Sequence, residues 1–361
     1  MTKLYLIRHA EAEGNLYRIA HGQYNSILTD RGMEQVEALR RRFEGQQIDA
    51  VYSSDLCRTC TTATALYVPR NLPLNKRRDL REYHMGVWEQ MTWGEIERTD
   101  MEQLTNFTRR LDLWRVAEAE TAAQVRDRMV AAVRDIAREN PGKTVAAFSH
   151  GAALRTLLGT LQGYTLEEMG QTPHGDNTAV SLLEIEGDDI RVVFRDDNSH
   201  IRENLSTFAQ QKWWKRPNAI EPGLAFDPLA EKDQATYAGD CGFTPDGEKA
   251  ALLASLEGEP VGVIRLDLSR DAEQGIGWIE TYAMLPKWRR QGYGVQLLGQ
   301  AVQRYRALGR DKLRCAVAAD NQEGCRFAQR YGFRAVDEQG GTVIYEKYIG
   351  YPATYTGELE A

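Results

Sequence analysis

The stretch that most constrains this chain is its start, Lys3-Leu4-Tyr5-Leu6-Ile7-Arg8-His9-Ala10-Glu11. A short apolar run of strand-forming residues delivers an arginine and a histidine, side by side, where the strand should end. Ligands in open α/β sheets bind just beyond the carboxyl ends of strands, so this placement predicts such a sheet and a site at its edge. The pair also has a chemical meaning. A guanidinium holds phosphate in a planar fork, and a neutral imidazole can attack phosphorus.

Three further segments carry matching chemistry. After the apolar stretch from Ile48 to Tyr52, Ser53-Ser54-Asp55-Leu56-Cys57-Arg58-Thr59-Cys60-Thr61-Thr62-Ala63 brings a second arginine. Leu80-Arg81-Glu82-Tyr83-His84-Met85-Gly86-Val87-Trp88-Glu89 brings a carboxylate. Val145-Ala146-Ala147-Phe148-Ser149-His150-Gly151 is another strand running into a histidine, with helical residues Ala152 to Leu161 behind it. In this order the four segments resemble the histidine phosphatase superfamily, also called phosphoglycerate-mutase-like, over roughly residues 1–205. The resemblance implies a three-layer α/β/α domain.

It also implies roles. His9 looks like the nucleophile that becomes phosphohistidine, splitting one hard displacement into two easier ones. Arg8, Arg58 and a protonated His150 look like the cage around the transferred phosphoryl oxygens. Glu82 looks like the acid that protonates the leaving oxygen and then, as base, activates water; that role asks for a carboxyl pKa raised toward the working pH. Asn15 matches a polar position that the family often places on phosphate. His21 reads as a loop residue and His84 as a structural neighbour. Cys57 and Cys60 form a C-x-x-C, but the spacing straddles Arg58 on a first helical turn, so both read as packing residues; no metal is expected.

A mutase of this superfamily typically carries a longer insertion after the glutamate motif, covering the site. Here Trp93 to Ala119 reads as a single helix-like excursion before Glu120-Thr121 and a helix from Ala122 to Glu139. That favours hydrolysis, with a phosphoglycerate-type mutase as the alternative. The residues of the excursion name no substrate.

A second signature lies downstream. Ile276 to Pro286 reads as a strand, Lys287-Trp288-Arg289-Arg290-Gln291-Gly292-Tyr293-Gly294 as a turn, and Val295 to Arg306 as a helix. Glycines let backbone N–H groups approach an anion, and the helix amino end favours negative charge. With Asn321, the helix-like Glu323 to Tyr331 and Gly332-Phe333, this resembles the GNAT acyltransferases over about residues 222–348. The resemblance implies an α/β domain with a central mixed sheet and a turn that holds the pyrophosphate of acetyl-CoA. Met284, Arg289, Arg290, Gln291, Gly292, Tyr293, Gly294 and Asn321 are its cofactor-binding candidates. Glu280 occupies the strand position where many members carry the general base for the amine. Ala328 stands where the family's general-acid tyrosine is expected, with Tyr331 one turn further on. The half is therefore either an acetyltransferase for a small amine or an acyl-CoA-binding regulator that does not turn over.

At 361 residues two domains are natural: 1–205, a linker or interdomain clamp at 206–221, and 222–361. The clamp reading rests on Lys212-Trp213-Trp214-Lys215-Arg216-Pro217, and His200 is placed at this junction. A formal charge of −7 argues against nucleic-acid or membrane partners, so phosphate affinity must come from local clusters. Five scattered cysteines, and no span or signal pattern, predict a cytoplasmic protein acting on a small phosphorylated metabolite. A homodimer is left open.

Overall fold

A computed structural model describes residues 1–211, 223–245 and 249–352. Its first half runs β1 (Thr2–Arg8), α1 (Glu13–Tyr17), α2 (Asp30–Arg42), β2 (Ala50–Ser53), α3 (Cys57–Tyr67) and β3 (Leu74–Lys76). Then come α4 (Trp93–Thr99), α5 (Met101–Arg109), α6 (Ala122–Glu139), β4 (Thr144–Ser149), α7 (Gly151–Leu161), β5 (Val180–Glu186), β6 (Asp189–Asp197) and α8 (Thr207–Gln210). The strands form one sheet in the order β3-β2-β4-β1-β5-β6.

Period-two alternation splits β1 between two cores. Leu4 and Leu6 pack with Val125, Met129 and Val133 of α6 and Leu157 of α7. Ile7 packs on the opposite face with Val36 and Leu39 of α2 and Leu66 of α3. The result is a three-layer α/β/α sandwich. β4 is central because Val145, Ala146, Ala147 and Phe148 are buried on both faces. It runs parallel to β1, with Arg8 opposite Ser149, and parallel to β2, with Ser53 opposite Phe148. That register delivers His9, His150 and the Ser54–Arg58 segment to the same edge.

The excursion after the glutamate motif is not one helix. Thr92 starts α4 with a capping box to Glu95, and Asp100, at φ −149° and ψ 51°, ends it and begins α5. An aspartate that leaves helical dihedrals breaks the run, and a short 3₁₀ turn at Leu111–Leu113 follows.

The second half comprises β7 (Ala225–Pro228), α9 (Glu231–Cys241), β8 (Ala250–Leu256), β9 (Glu259–Asp267), β10 (Ile276–Met284), α10 (Gly294–Ala307), β11 (Lys312–Ala318), α11 (Gln322–Arg330), β12 (Arg334–Gln339) and β13 (Thr342–Tyr348). Its sheet, β12-β13-β11-β10-β9-β8-β7, is mixed, since β10 pairs parallel with β11 and the other neighbours are antiparallel. The β10–β11 pairing covers only Ile276–Ile279 against Lys312–Cys315. Beyond it the strands diverge, and a bulge between Ile279 and Thr281 re-aims Glu280.

The two halves share a core. Tyr17 and Ile19 pack with Leu297, Leu298, Ala301 and Val302 of α10. Gly299 of α10 lies so close to Tyr17 that a Cβ there would sit 2.6 Å from the Tyr17 Cβ. Glu13 and Arg306 form a bidentate ion pair at 2.8 and 3.0 Å across the junction, nearly buried. Ser206–Gln211, placed in the linker by the sequence, lie against the first half: Ser206 Oγ bonds Asp176, and Gln35 donates to Thr207. The Trp213-Trp214 clamp lies outside the described residues, as does the tail beyond Pro352; Tyr351 donates to the Asn25 carbonyl. Among the described residues no helix is long and apolar enough to cross a membrane.

Candidate functional site

Arg8, His9, Asn15 and Glu82 line one cavity of about 360 Å³ at the carboxyl edge of the first sheet. His9 is buried, and its Nδ1 lies 2.7 Å from the Ala10 carbonyl oxygen. A carbonyl only accepts, so Nδ1 carries the proton and Nε2 keeps its lone pair. Burial, and then the charges of Arg58 and Arg8, hold the ring well below the usual imidazole range. The imidazole is therefore neutral, as a nucleophile must be.

Arg58 and His150 are fully buried behind His9, whose ring centroid lies 5.3 Å from that of His150. Arg58 Nε donates to His150 Nδ1 at 3.2 Å, and its Nη atoms donate to the carbonyls of His21, Gly22 and Tyr24 at 2.6 to 3.0 Å. His150 Nε2 then donates to Ser54 Oγ at 2.9 Å. The protonated His150 expected beside a phosphate dianion is not the form seen without one. With Nδ1 accepting from a guanidinium and the ring buried, its pKa falls well below the usual value and it is neutral. As seated, Arg58 supplies positive charge through the buried layer rather than an open fork, although burial pulls its pKa down to about 10.

Glu82 is held by the amino end of α7. Its Oε2 accepts from Ala152 N at 3.0 Å, and its Oε1 from Ala153 N at 2.8 Å and Tyr83 N at 3.1 Å. Arg128 pins the segment from beneath, donating to the carbonyls of Asp79, Arg81 and Glu82 at 2.7 to 3.0 Å. Arg8 Nη1 donates to Gly175 O at 2.6 Å. Asn15 Oδ1 accepts from Ala12 N at 3.1 Å, which ties this candidate to the start of α1.

The remaining wall is mostly apolar: Ile19, Met85, Trp93, Phe107 and Phe208. His21 and His174 also line it. His21 stacks edge-on to His9 at 5.7 Å, and His174 is exposed. Asn177 donates to the His9 carbonyl at 2.8 Å. His174 and Asn177 escaped the sequence reading, because the Pro173–Asn177 loop reaches His9 only through the antiparallel pairing of β5 with β1, whereas His21 was read as a loop residue. His84 points elsewhere, to the Glu118 carbonyl, and His200 lies against Thr178 and Arg42. Burial raises the Cys57 and Cys60 thiols to about 11, so both stay protonated.

In the second half, Glu280, Met284, Arg289, Arg290 and Asn321 line a groove of about 600 Å³ where β10 and β11 diverge. Arg289 Nε donates to the Met284 carbonyl at 3.0 Å, which closes the turn. Gly292 has φ +89°, a conformation that favours glycine, with open space around the missing Cβ. The turn lies open at the start of α10 with the Arg289 and Arg290 guanidiniums beside the groove, a donor set that suits a pyrophosphate. Asn321 Oδ1 is used as the cap of α11, accepting from Gly324 N at 2.9 Å. Gln291, Gly292 and Tyr293 face a different space, between the halves. Gly294 packs under Tyr282, whose hydroxyl bonds the Gly294 carbonyl. Ala328 lines the groove, and Tyr331 turns toward the other half.

Sheet, edge and cluster define a histidine-centred α/β domain joined to a second α/β domain with a mixed sheet. The chain belongs to the histidine phosphatase superfamily (branch 1), whose profile matches residues 4–198, and the acetyltransferase (GNAT) family profile matches residues 211–333. The first half is similar to phosphoserine phosphatase 1 of Hydrogenobacter thermophilus, 27% identical over 52% of this chain and 88% of that protein. It is also similar to the probable phosphoglycerate mutase GpmB of Proteus mirabilis, 31% identical over 45% and 76%. Among solved structures, YhfR of Bacillus stearothermophilus superposes with a TM-score of 0.55 and 31% identity, covering 56% of this chain and all of that one.

Proposed function

We propose that the first half hydrolyses phosphomonoesters through a phosphohistidine at His9. The observation that carries the reading is the neutral His9 ring, with Nδ1 bound to the Ala10 carbonyl, sharing one cavity with the anchored Glu82 carboxyl. In the first step Nε2 bonds to phosphorus as the ester P–O bond breaks, and the Glu82 carboxylic acid gives its proton to the leaving oxygen. In the second, the Glu82 carboxylate takes a proton from water, the water oxygen bonds to phosphorus, and the N–P bond breaks. Arg8, Arg58 and Asn15 stabilise and orient the phosphoryl oxygens, and His150 joins them when an arriving dianion draws a proton to it.

Substrate size follows the cavity. Ile19, Met85, Trp93, Phe107 and Phe208 favour a small ester with an apolar or aromatic body, and Arg18 on the same wall can meet one further anionic group. The short excursion from Trp93 to Ala119 supports hydrolysis over a mutase. His9→Ala should lose p-nitrophenyl phosphate hydrolysis while keeping the wild-type melting profile; a variant that retained turnover would refute the mechanism.

The second half is proposed to bind acetyl-CoA. Arg289, Arg290 and the Gly292–Gly294 backbone would hold its pyrophosphate, and the group supplies an activated acetyl carbonyl. Glu280, exposed at the bulge, is placed to take a proton from a small amine acceptor. Ala328 in the groove favours the competing reading, an acyl-CoA sensor without turnover. Acetyl transfer to a panel of amines separates them: tight acetyl-CoA binding with no transfer to any amine would leave only the sensor.

A further inference from the structure

Between the halves lies a cavity of about 510 Å³ lined by Arg18, Arg31, Arg290 and Arg330. No carboxylate side chain lines it among the described residues. In a chain of net charge −7, four guanidiniums around one space make a local field of opposite sign. Arg31 is ion-paired with Glu11 at 3.0 Å, outside the lining, so its share of that field is largely cancelled. The cavity joins both sites through its walls. Arg290 also lines the β10–β11 groove, and Arg18 and Gln211 also line the cavity around His9. Gln211 Nε2 further donates to the carbonyl of Asn15 at 2.7 Å.

The turn at Arg289–Gly294 therefore has two faces. Arg289 and Arg290 look into the groove, and Arg290, Gln291, Gly292 and Tyr293 look into the cavity. A pyrophosphate on this turn would have the groove on one side and the cavity on the other. The groove suits the acyl arm. What the cavity offers is cationic forks and two phenol rings, Tyr293 and Tyr331, which is the chemistry of a phosphorylated nucleoside.

We propose that this interdomain cavity binds the nucleotide end of acyl-CoA, a 3′-phosphorylated adenosine diphosphate, and through Arg18 places that charge beside the phosphatase site; the proposal rests on the acyl-CoA reading of the second half. Anion bound against a wall shared with the His9 cavity opposes an anionic phosphate ester there. The coupling is reciprocal, so each ligand weakens the other by the same factor.

The full chain is titrated calorimetrically with acetyl-CoA, acetyl-3′-dephospho-CoA, adenosine 3′,5′-bisphosphate and inorganic pyrophosphate. The same titrations are made on Arg330→Ala and Arg330→Glu, whose side chain is exposed at the end of α11. Acetyl-CoA should bind about tenfold tighter than its dephospho form, as one charge-assisted contact allows, and Arg330→Glu should erase that preference. Adenosine 3′,5′-bisphosphate should bind the wild type better than pyrophosphate, and should raise the KM for p-nitrophenyl phosphate with kcat unchanged. Equal binding of the two CoA forms, with no effect of Arg330, would overturn the cavity assignment while leaving the acyl-CoA reading intact. Pyrophosphate binding as tightly as the bisphosphate would overturn the nucleotide. If acetyl-CoA fails to bind at all, the acyl-CoA reading falls with it, whatever the bisphosphate does.

Discussion

His9 and His150 are buried and His21 is half-buried, and burial, then nearby arginines, holds all three imidazoles well below their usual range. For His9 this sets the pH dependence of catalysis. Its free base persists well below pH 6.5, so the acid limb of kcat/KM should fall below that value; a limb at or above 6.5 contradicts the assignment. For stability the sign is equally fixed. Below pH 6.5 the unfolded chain takes up protons that the folded chain refuses, so stability falls as pH falls and is fully present above 6.5. Each such histidine costs up to about 1.4 kcal/mol per pH unit between 6.5 and its lowered folded pKa. Melting temperature followed from pH 8 to pH 4 should decline steeply below 6.5, and His21→Asn should make the decline shallower. These pairings were only partly legible in the sequence. Arg8, His9, Arg58, Glu82 and His150 announce themselves by motif. His21 and His174 do not, because loops supply them and only the folded sheet brings those loops to His9.

At the scale of elements, two devices position the chemistry. Arg128 of α6 holds three carbonyls of the segment that carries Glu82. It touches no reacting atom and acts as a positioning residue. Arg128→Ala should lower kcat about 10²-fold, the cost of a misplaced group, with a smaller change in KM. Arg128→Lys restores a charge but cannot reproduce the fork, so it should recover only part of kcat; full recovery by lysine would show that charge alone suffices. The second device is the packing of α1, which carries Asn15, against α10, which begins at the pyrophosphate turn. Gly299→Val pushes a side chain into Tyr17, and overpacking of this kind costs about 1–3 kcal/mol. The variant should melt earlier, and a melting profile like the wild type would show that α1 and α10 do not bear on each other as described. Helices with strong caps and periodic faces were legible in the sequence: α6 runs over the predicted Ala122–Glu139. The break at Asp100 was not, because apolar spacing continues across it while the dihedrals of one residue do not.

For the whole molecule, the two α/β architectures were readable from motif order. Their junction was not. Glu13–Arg306, Tyr17 against Gly299, and Phe208 closing the His9 cavity depend on surfaces that show no periodic signal. Phe208 is informative here, since it lies beyond the residues matched to the phosphatase superfamily and still lines that half's site. The junction makes the wall of the His9 cavity in one half a neighbour of the Arg289–Gly294 turn of the other. Everything still turns on His9 as the atom that receives phosphorus. With p-nitrophenyl phosphate the leaving group departs without a proton, so Glu82→Gln should block the second step more than the first. After brief mixing, acid-free mass spectrometry of Glu82→Gln should find one phosphoryl group per chain, on His9. Continued turnover with no phosphoryl group on His9, or its appearance on another residue, would contradict the account.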